Sequence, residues 1–140
     1  AQAEPLAAAP GRPLRLGLAP GPVDTDSPWL YHKTTRREVY DRALAARPDC
    51  EEVLLWNARG EATEATRSNL VVELPEGRFT PPVSSGLLPG TLRAQLLARG
   101  EVRERVLRLE EVSGRRLFLV NSVRGWQEAA LAEVRPSRGR

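Results

Sequence analysis

The 140-residue chain has a single cysteine and no apolar run long enough to cross a membrane. Cys50 has no second cysteine to pair with, which excludes an internal disulfide and argues against a small secreted scaffold. A membrane-spanning helix needs about 20 consecutive apolar residues, and the sequence has no such stretch. The N-terminus shows no basic segment followed by an apolar one, so no signal peptide is expected. These absences predict a cytoplasmic, one-domain protein without membrane contact.

Lysine is also nearly absent, since Lys33 is the only lysine among 21 basic residues. A GC-rich genome, which favours arginine codons, is one explanation of that imbalance. The other is chemical: a guanidinium stays protonated in proteins, whereas a lysine amine can lose its proton and attack a carbonyl. Arg36 and Arg37 follow three and four residues later, and on a helix both would lower the pKa of the Lys33 amine. A partly neutral amine is what Schiff-base chemistry requires.

The positive charges do not form the pattern of a nucleic-acid-binding surface. The net charge is only +3, and charges alternate in sign along most of the chain. The one basic run, residues 135–140, has three arginines and no interleaved aromatic side chains. Nucleic-acid binding through this basic tail would depend steeply on salt and is the least favoured function. We therefore expect no nucleic-acid partner.

Proline and glycine divide the chain into a linker, a folded domain and the basic tail. Closely spaced prolines predict a linker over residues 1–27, with a short edge strand allowed where Leu14, Leu16 and Leu18 alternate. A chain that begins with a linker is expected to be the C-terminal piece of a larger protein. The domain spans residues 28–134, with helices over 34–47, 91–99 and 110–112 and strands over 53–56, 69–74, 102–107 and 117–120. This mixture without a βαβ repeat favours an α+β fold with a mixed or largely antiparallel sheet.

Two further segments carry side chains or backbone groups that could bind a ligand. Glu64 lies between two predicted strands, among small and hydroxyl-bearing residues. A carboxylate at such a position is not a packing residue of the hydrophobic core. Pro89 and Gly90 precede a helix whose first amides lack intrahelical partners and can bind anions, phosphate above all, and Ser122 could add a hydroxyl. A polar loop and a capped helix are the ordinary explanations. Together with Lys33, however, these are the groups that pyridoxal phosphate needs.

These blocks resemble the class IV (fold-type IV) pyridoxal-phosphate enzymes, which include branched-chain and D-amino-acid aminotransferases and 4-amino-4-deoxychorismate lyase. The blocks are the lysine-led helix, Thr-Glu-Ala-Thr-Arg-Ser-Asn (63–69), Thr-Pro-Pro (80–82), Gly-Leu-Leu-Pro-Gly-Thr-Leu-Arg (86–93) and Leu-Val-Asn-Ser-Val-Arg-Gly-Trp (119–126). Within the family, the chain most resembles the lyase-like C-terminal portion of fusions with aminodeoxychorismate synthase component I. The resemblance implies the C-terminal, large domain of the D-amino-acid aminotransferase-like fold, a mixed sheet or pseudo-barrel with flanking helices and without the N-terminal small domain.

The resemblance also implies a role for each motif residue. Lys33 would form the Schiff base and move the proton, and Glu64 would pair with the pyridine nitrogen of pyridoxal 5'-phosphate. The backbone amides of Thr91 and Leu92, with the Ser122 hydroxyl, would hold the phosphate. The remaining predictions place Arg37 or Tyr40 near the phenolic oxygen of the cofactor and Asn121 and Arg124 near substrate carboxylates. No metal is expected.

The implied reaction converts aminodeoxychorismate to 4-aminobenzoate and pyruvate, a step toward folate. Two alternatives stay open: an aminotransferase of branched-chain or D-amino acids, and a cofactor-free interaction or regulatory domain. The expected partners are a small-molecule substrate, a second copy in a homodimer, and the missing N-terminal domain or synthase portion. Because the family's N-terminal domain supplies part of the substrate pocket, this chain is expected to be incomplete alone.

Overall fold

The structure, a computed structural model, describes residues 12–23 and 33–132, without the side chains of residues 33–36. The strands are β1 (Leu14–Leu18), β2 (Glu52–Trp56), β3 (Ala62–Ala65), β4 (Asn69–Leu74), β5 (Gly77–Thr80), β6 (Arg103–Glu104), β7 (Arg116–Asn121) and β8 (Gly125–Leu131). The helices are α1 (Lys33–Ala46), α2 (Thr91–Ala98) and α3 (Leu109–Val112). None of the helices in these ranges is long and apolar enough to span a membrane.

In the described residues the strands form one eight-stranded mixed sheet with the spatial order β3-β2-β1-β8-β7-β4-β5-β6. Strand β1 lies inside this sheet and runs parallel to both neighbours, with Leu16 opposite Glu52 on β2 and Leu131 on β8. The predictions of an edge strand and of a linker were therefore wrong for residues 14–18. The local alternation indicated a strand, but its place in the sheet depends on pairing with segments far along the chain.

The sheet curls until its two ends meet. Glu61 forms an antiparallel bridge with Arg108, and the Ala62 N–H donates to the Leu107 carbonyl at 2.7 Å. This contact joins β3, at one end of the strand order, to the segment that follows β6, at the other end. The closure produces the pseudo-barrel that the family resemblance predicted.

The barrel interior is filled by alternate side chains of its strands. Because successive residues of a strand point to opposite faces, each strand sends one set of side chains inward and the other outward. The inward set forms the largest apolar cluster of the described residues. Its fully buried leucines are Leu16, Leu54, Leu70, Leu107, Leu117 and Leu119.

The outward side chains form two further apolar clusters, one under each longer helix. Helix α1 packs on β2, where Ala43 contacts the cluster that contains Leu55. Helix α2 packs on β4 and β7, where Leu96 joins Val71 and Phe118. The two helices therefore lie on the outer face of the barrel, with strands between them.

Most of the other predicted elements are confirmed, and two more are corrected. Helices α1 and α2 lie within one or two residues of the predicted bounds. The predicted strand over 102–107 is only the pair Arg103–Glu104, because Val102 turns toward α2 whereas Leu107 enters the barrel. The segment around Glu64, predicted as a loop between strands, is itself strand β3.

The interior position of β1 can be tested by substitution. Leu16 is fully buried in the barrel, so Leu16→Ala is expected to lower the free energy of unfolding by about 2–5 kcal/mol through lost burial and a cavity. Urea denaturation measures this change. The matched control on the same strand is Arg15→Ala, which removes an exposed side chain and should change stability by about 0.5 kcal/mol or less. Similar effects of the two substitutions would contradict an interior β1.

Candidate functional site

A cavity of about 200 Å³ lies on the outer face of the barrel, between α1 and the N-terminus of α2. Its walls come from segments distant in sequence, namely α1, β3, the loop over 66–69, the start of α2 and the turn after β7. Six of the predicted site residues line it: Tyr40, Glu64, Thr91, Leu92, Asn121 and Ser122. The fold therefore gathers most of the predicted site in one place.

Glu64 is a buried carboxylate at this cavity, with 3% of its surface exposed. It lies opposite Leu55 in the β2–β3 pairing and so faces outward, toward α1. The Tyr40 hydroxyl donates to Glu64 Oε2 at 3.1 Å, and the Leu88 N–H donates to Oε1 at 3.3 Å. Donors on both oxygens fix the orientation of the carboxylate.

The N-terminus of α2 is held against β4 by the Asn69 side chain. Asn69 Nδ2 donates to the Leu88 carbonyl at 3.0 Å, and the Gly90 N–H donates to Asn69 Oδ1 at 3.1 Å. The following amides, those of Thr91 and Leu92, belong to the first turn and lack intrahelical acceptors. Sequence reasoning did not identify Asn69, although an asparagine that opens an apolar strand is a signal, since asparagine is disfavoured in strands.

The turn after β7 is fixed by the side chain of Asn121. Its Nδ2 donates to the Arg67 carbonyl at 3.1 Å and to Ser68 Oγ at 3.0 Å, and its Oδ1 accepts the Arg124 N–H at 2.7 Å. This Asx-type arrangement places Ser122 on the cavity wall. Both amide atoms of Asn121 bond to the protein, so its side chain positions this turn against the loop over 66–68.

Glu52 is a second buried carboxylate, and sequence reasoning missed it. Its Oε1 accepts the Arg67 N–H at 2.9 Å, and its Oε2 accepts from Ser68 Oγ at 3.0 Å. Burial raises the pKa of Glu52 and outweighs both hydrogen bonds and the nearby charges of Arg67 and Arg124. Glu52 therefore anchors the loop over 66–68 on the side that faces the barrel, and Asn121 anchors it on the opposite side.

Of the other three predicted residues, two do not line this cavity and the side chain of the third lies outside the described residues. Lys33 begins α1, the helix that also carries Tyr40, and its side chain lies outside the described part of the chain. Arg37 is exposed and does not line the cavity. Arg124 lines a neighbouring cavity instead. Tyr40 lines the predicted site, and its hydroxyl contacts Glu64.

The residues of the cavity fit a phosphorylated pyridine. An oriented carboxylate suits a protonated ring nitrogen, and a helix N-terminus suits a phosphate. The first turn of α2 has no acidic side chain that would repel an anion. Gly90 is needed where the helix meets Asn69, because an added Cβ would lie 2.6 Å from Asn69 Oδ1. The cavity thus offers a carboxylate and a helix N-terminus to a ligand that carries a ring nitrogen and a phosphate.

The chain belongs to the amino-transferase class IV family, whose sequence profile matches residues 1–131. Enzymes of this family depend on pyridoxal phosphate. A Schizosaccharomyces pombe protein named "Putative aminodeoxychorismate lyase" is 33% identical over 121 residues, which cover 80% of this chain and 52% of that protein. The chain therefore spans about half the length of this curated relative.

Solved structures of the same fold agree with this assignment. A Mesorhizobium loti protein described as a "Putative amino-acid aminotransferase" has 38% identity and a TM-score of 0.81, over 92% of this chain and 63% of its own. A Legionella pneumophila protein described as a "Putative 4-amino-4-deoxychorismate lyase" has a TM-score of 0.76 at 24% identity, over 91% of this chain and 51% of its own. The second likeness shows the shared fold.

The contact between Gly90 and Asn69 can be tested by a double-mutant cycle. Gly90→Ala is expected to lower the free energy of unfolding by about 1–3 kcal/mol, because the new methyl group displaces the Asn69 amide. Asn69→Ala removes the atom that clashes, so the double variant should lose less stability than the sum of the two single variants. Gly21→Ala, at an exposed glycine with open space around it, is the control for a neutral change. Strict additivity would show that the two residues do not touch.

The raised pKa of Glu52 predicts a pH dependence of stability. A carboxyl whose pKa is higher in the folded than in the unfolded state stabilises the fold below its ordinary pKa of 4.5, and this contribution is lost as pH rises through the folded pKa. The free energy of unfolding of the unmodified protein, relative to Glu52→Gln, should therefore fall as the pH is raised from about 4 to about 7.

Glu61 is the matched control with the opposite sign. A hydrogen bond from Asn57 lowers the pKa of Glu61, so its stabilising contribution is present above its ordinary pKa and is lost on acidification. Relative to Glu61→Gln, the stability of the unmodified protein should rise over the same pH interval. Urea denaturation at several pH values measures both slopes, and parallel slopes for the two variants would contradict the burial of Glu52.

Proposed function

We propose that this chain is the cofactor-binding domain of a pyridoxal-phosphate-dependent 4-amino-4-deoxychorismate lyase, which forms 4-aminobenzoate and pyruvate. The observation that carries the proposal is that one cavity is lined by the oriented Glu64 carboxylate and by the N-terminus of α2. The name of the Schizosaccharomyces pombe relative supports the lyase reaction. The 38% identity to the Mesorhizobium loti protein favours a second candidate, an aminotransferase of the same family.

Five residues of the cavity have a role in this proposal. Glu64 holds the proton on the pyridine nitrogen, because an ionised carboxylate beside that nitrogen favours its charged form. The amides of Thr91 and Leu92 and the Ser122 hydroxyl donate to the phosphate. Tyr40 positions Glu64 through its hydroxyl. When bound, pyridoxal phosphate supplies an electron sink for charge that develops on the substrate.

Lys33 is the group that holds and moves the reacting proton. In the lyase reaction its amine takes the proton from the substrate carbon that bears the nitrogen. The bond between the ring and the enolpyruvyl oxygen breaks, the ring becomes aromatic, and the proton ends on the methylene carbon of the product pyruvate. An aminotransferase would use the same amine to return the proton to the carbonyl carbon of the cofactor, so the destination of one proton separates the two candidates.

The complete enzyme is proposed to include more than this chain. The relatives that it matches are longer, and the chain covers only 52% of one and 63% of another. In the family resemblance, an N-terminal domain completes the substrate pocket and a second copy forms a homodimer. We propose the same arrangement here, in the cytoplasm, with a small molecule as substrate.

Covalent labelling tests the cofactor. Reduction with borohydride after incubation with pyridoxal phosphate is expected to leave a phosphopyridoxyl group on Lys33, since the chain has one lysine. Peptide mapping by mass spectrometry locates the label and separates it from the terminal amine. Lys33→Ala should abolish side-chain labelling, whereas Arg37→Ala, at an exposed position on the same helix, should retain it.

A companion variant tests the role of Glu64. Glu64→Gln keeps the size of the side chain and removes its charge, so cofactor affinity is expected to fall roughly tenfold or more while labelling at saturating cofactor persists. Unlabelled Lys33 in both this chain and the full-length protein would instead support the cofactor-free domain. Pyruvate release from aminodeoxychorismate by the full-length protein then separates the lyase from the aminotransferase.

A further inference from the structure

The cofactor cavity shares a wall with a second cavity. Arg67 and Asn121 line both of them, and the second has a volume of about 370 Å³. Two other lining residues, Glu52 and Gln127, lie opposite inward-facing leucines in their strand pairings. The second cavity is therefore the open mouth of the barrel, and Arg67 stands between it and the proposed cofactor site.

The charges at this mouth favour an anion. Arg67 and Arg124 both line it and are exposed, and neither guanidinium forms a hydrogen bond or an ion pair within residues 12–23 and 33–132. The two carboxylates of the same cavity are already engaged. Glu51 pairs with Arg12 at 2.8 Å, and Glu52 accepts the two hydrogen bonds from the 66–68 loop.

Hydrogen bonds fix the backbone at both arginines. Glu52 accepts the Arg67 N–H, and the single side chain of Asn121 bonds to the Arg67 carbonyl and to the Arg124 N–H. The two guanidinium groups are thus attached to one hydrogen-bonded unit at the rim. Such preorganisation reduces the loss of conformational freedom when a ligand binds.

We propose that Arg67, with Arg124, forms a carboxylate-binding subsite that selects substrates carrying an acidic group at a distance from the reacting amine. The inference rests on the proposed function, since it assumes that the amine of the substrate reacts in the cofactor cavity. A guanidinium binds a carboxylate through two parallel hydrogen bonds. The subsite is separate from the phosphate cradle, because neither Thr91 nor Leu92 lines the mouth.

Reduced adducts of the cofactor with amino acids test this subsite by direct binding. The first probe is phosphopyridoxyl-alanine, which has no second carboxylate. The other two, phosphopyridoxyl-glutamate and phosphopyridoxyl-2-aminoadipate, carry a second carboxylate at two different distances from the amine. Calorimetry or fluorescence gives the three dissociation constants. We expect the protein to prefer at least one acidic adduct over the alanine adduct, by roughly tenfold or more for a charge-assisted contact.

Arg67→Gln is expected to abolish most of that preference, because it lowers the affinity for the acidic adducts more than the affinity for the alanine adduct, while Arg67→Lys restores the preference in part. The matched control is Arg115→Gln. Arg115 is exposed and precedes the first residue of β7, at the end of the strand away from Asn121, so this change should alter neither the preference nor the affinity for the alanine adduct. The alanine adduct also checks that the variants fold.

The outcomes separate the two levels of inference. Binding of all three adducts without preference, or a preference that survives Arg67→Gln, would overturn the subsite and leave the cofactor site standing. An equal loss of affinity for all three adducts in Arg67→Gln would mean that Arg67 serves only to balance Glu52, which also overturns the subsite. Failure of every adduct to bind either this chain or the full-length protein would overturn the proposed function, and the subsite with it.

Discussion

Strand β1 joins the two halves of the barrel. Its hydrogen bonds run to β2 on one side and to β8 on the other, and both pairings are parallel. Helix α1 packs on β2, whereas α2 packs on β4 and β7, which lie beyond β8. The separation between Glu64, on the first half, and the start of α2, on the second, therefore depends on β1. A segment of five residues with an unremarkable sequence thus connects the two halves that flank the candidate cofactor site.

Buried and half-buried polar side chains hold the segments that connect the strands. A buried polar group without a partner destabilises the fold, so each must find hydrogen bonds within the protein. At this site Glu52, Asn69 and Asn121 each bond through both of their terminal atoms. Their partners are loop and turn backbone groups and the hydroxyl of Ser68. The polar groups therefore hold the irregular segments that line the cavity, where apolar packing alone would leave them mobile.

The sequence predicted the parts of the site whose signals are local. A lone Lys33, a Pro-Gly pair before a helix and a carboxylate outside an apolar pattern are all visible within a few residues, and the fold-type IV resemblance put them in order. The position of β1, the strand character of Ala62–Ala65 and the anchoring role of Glu52 were not predicted. Each depends on partners that lie far along the chain, and local alternation carries no information about which strands become neighbours.

The near absence of lysine acquires a structural explanation beside the genomic one. Arg93 is buried, where its guanidinium bonds to the Pro81 carbonyl and to the Glu104 carboxylate. Arg78 lies over the rings of both Phe118 and Trp126, at 5.2 and 5.1 Å from their centroids.

Planar, multiply donating guanidinium groups suit such positions, and an ammonium group would suit them less well. Because guanidinium also stays protonated, it does not compete for an aldehyde as an amine does. A chain that meets its structural needs for positive charge with arginine therefore leaves one side-chain amine, that of Lys33, which the proposed function uses for carbonyl chemistry. The use of arginine for structural contacts and of lysine for chemistry would favour the same composition that a GC-rich genome produces, so the two explanations reinforce each other.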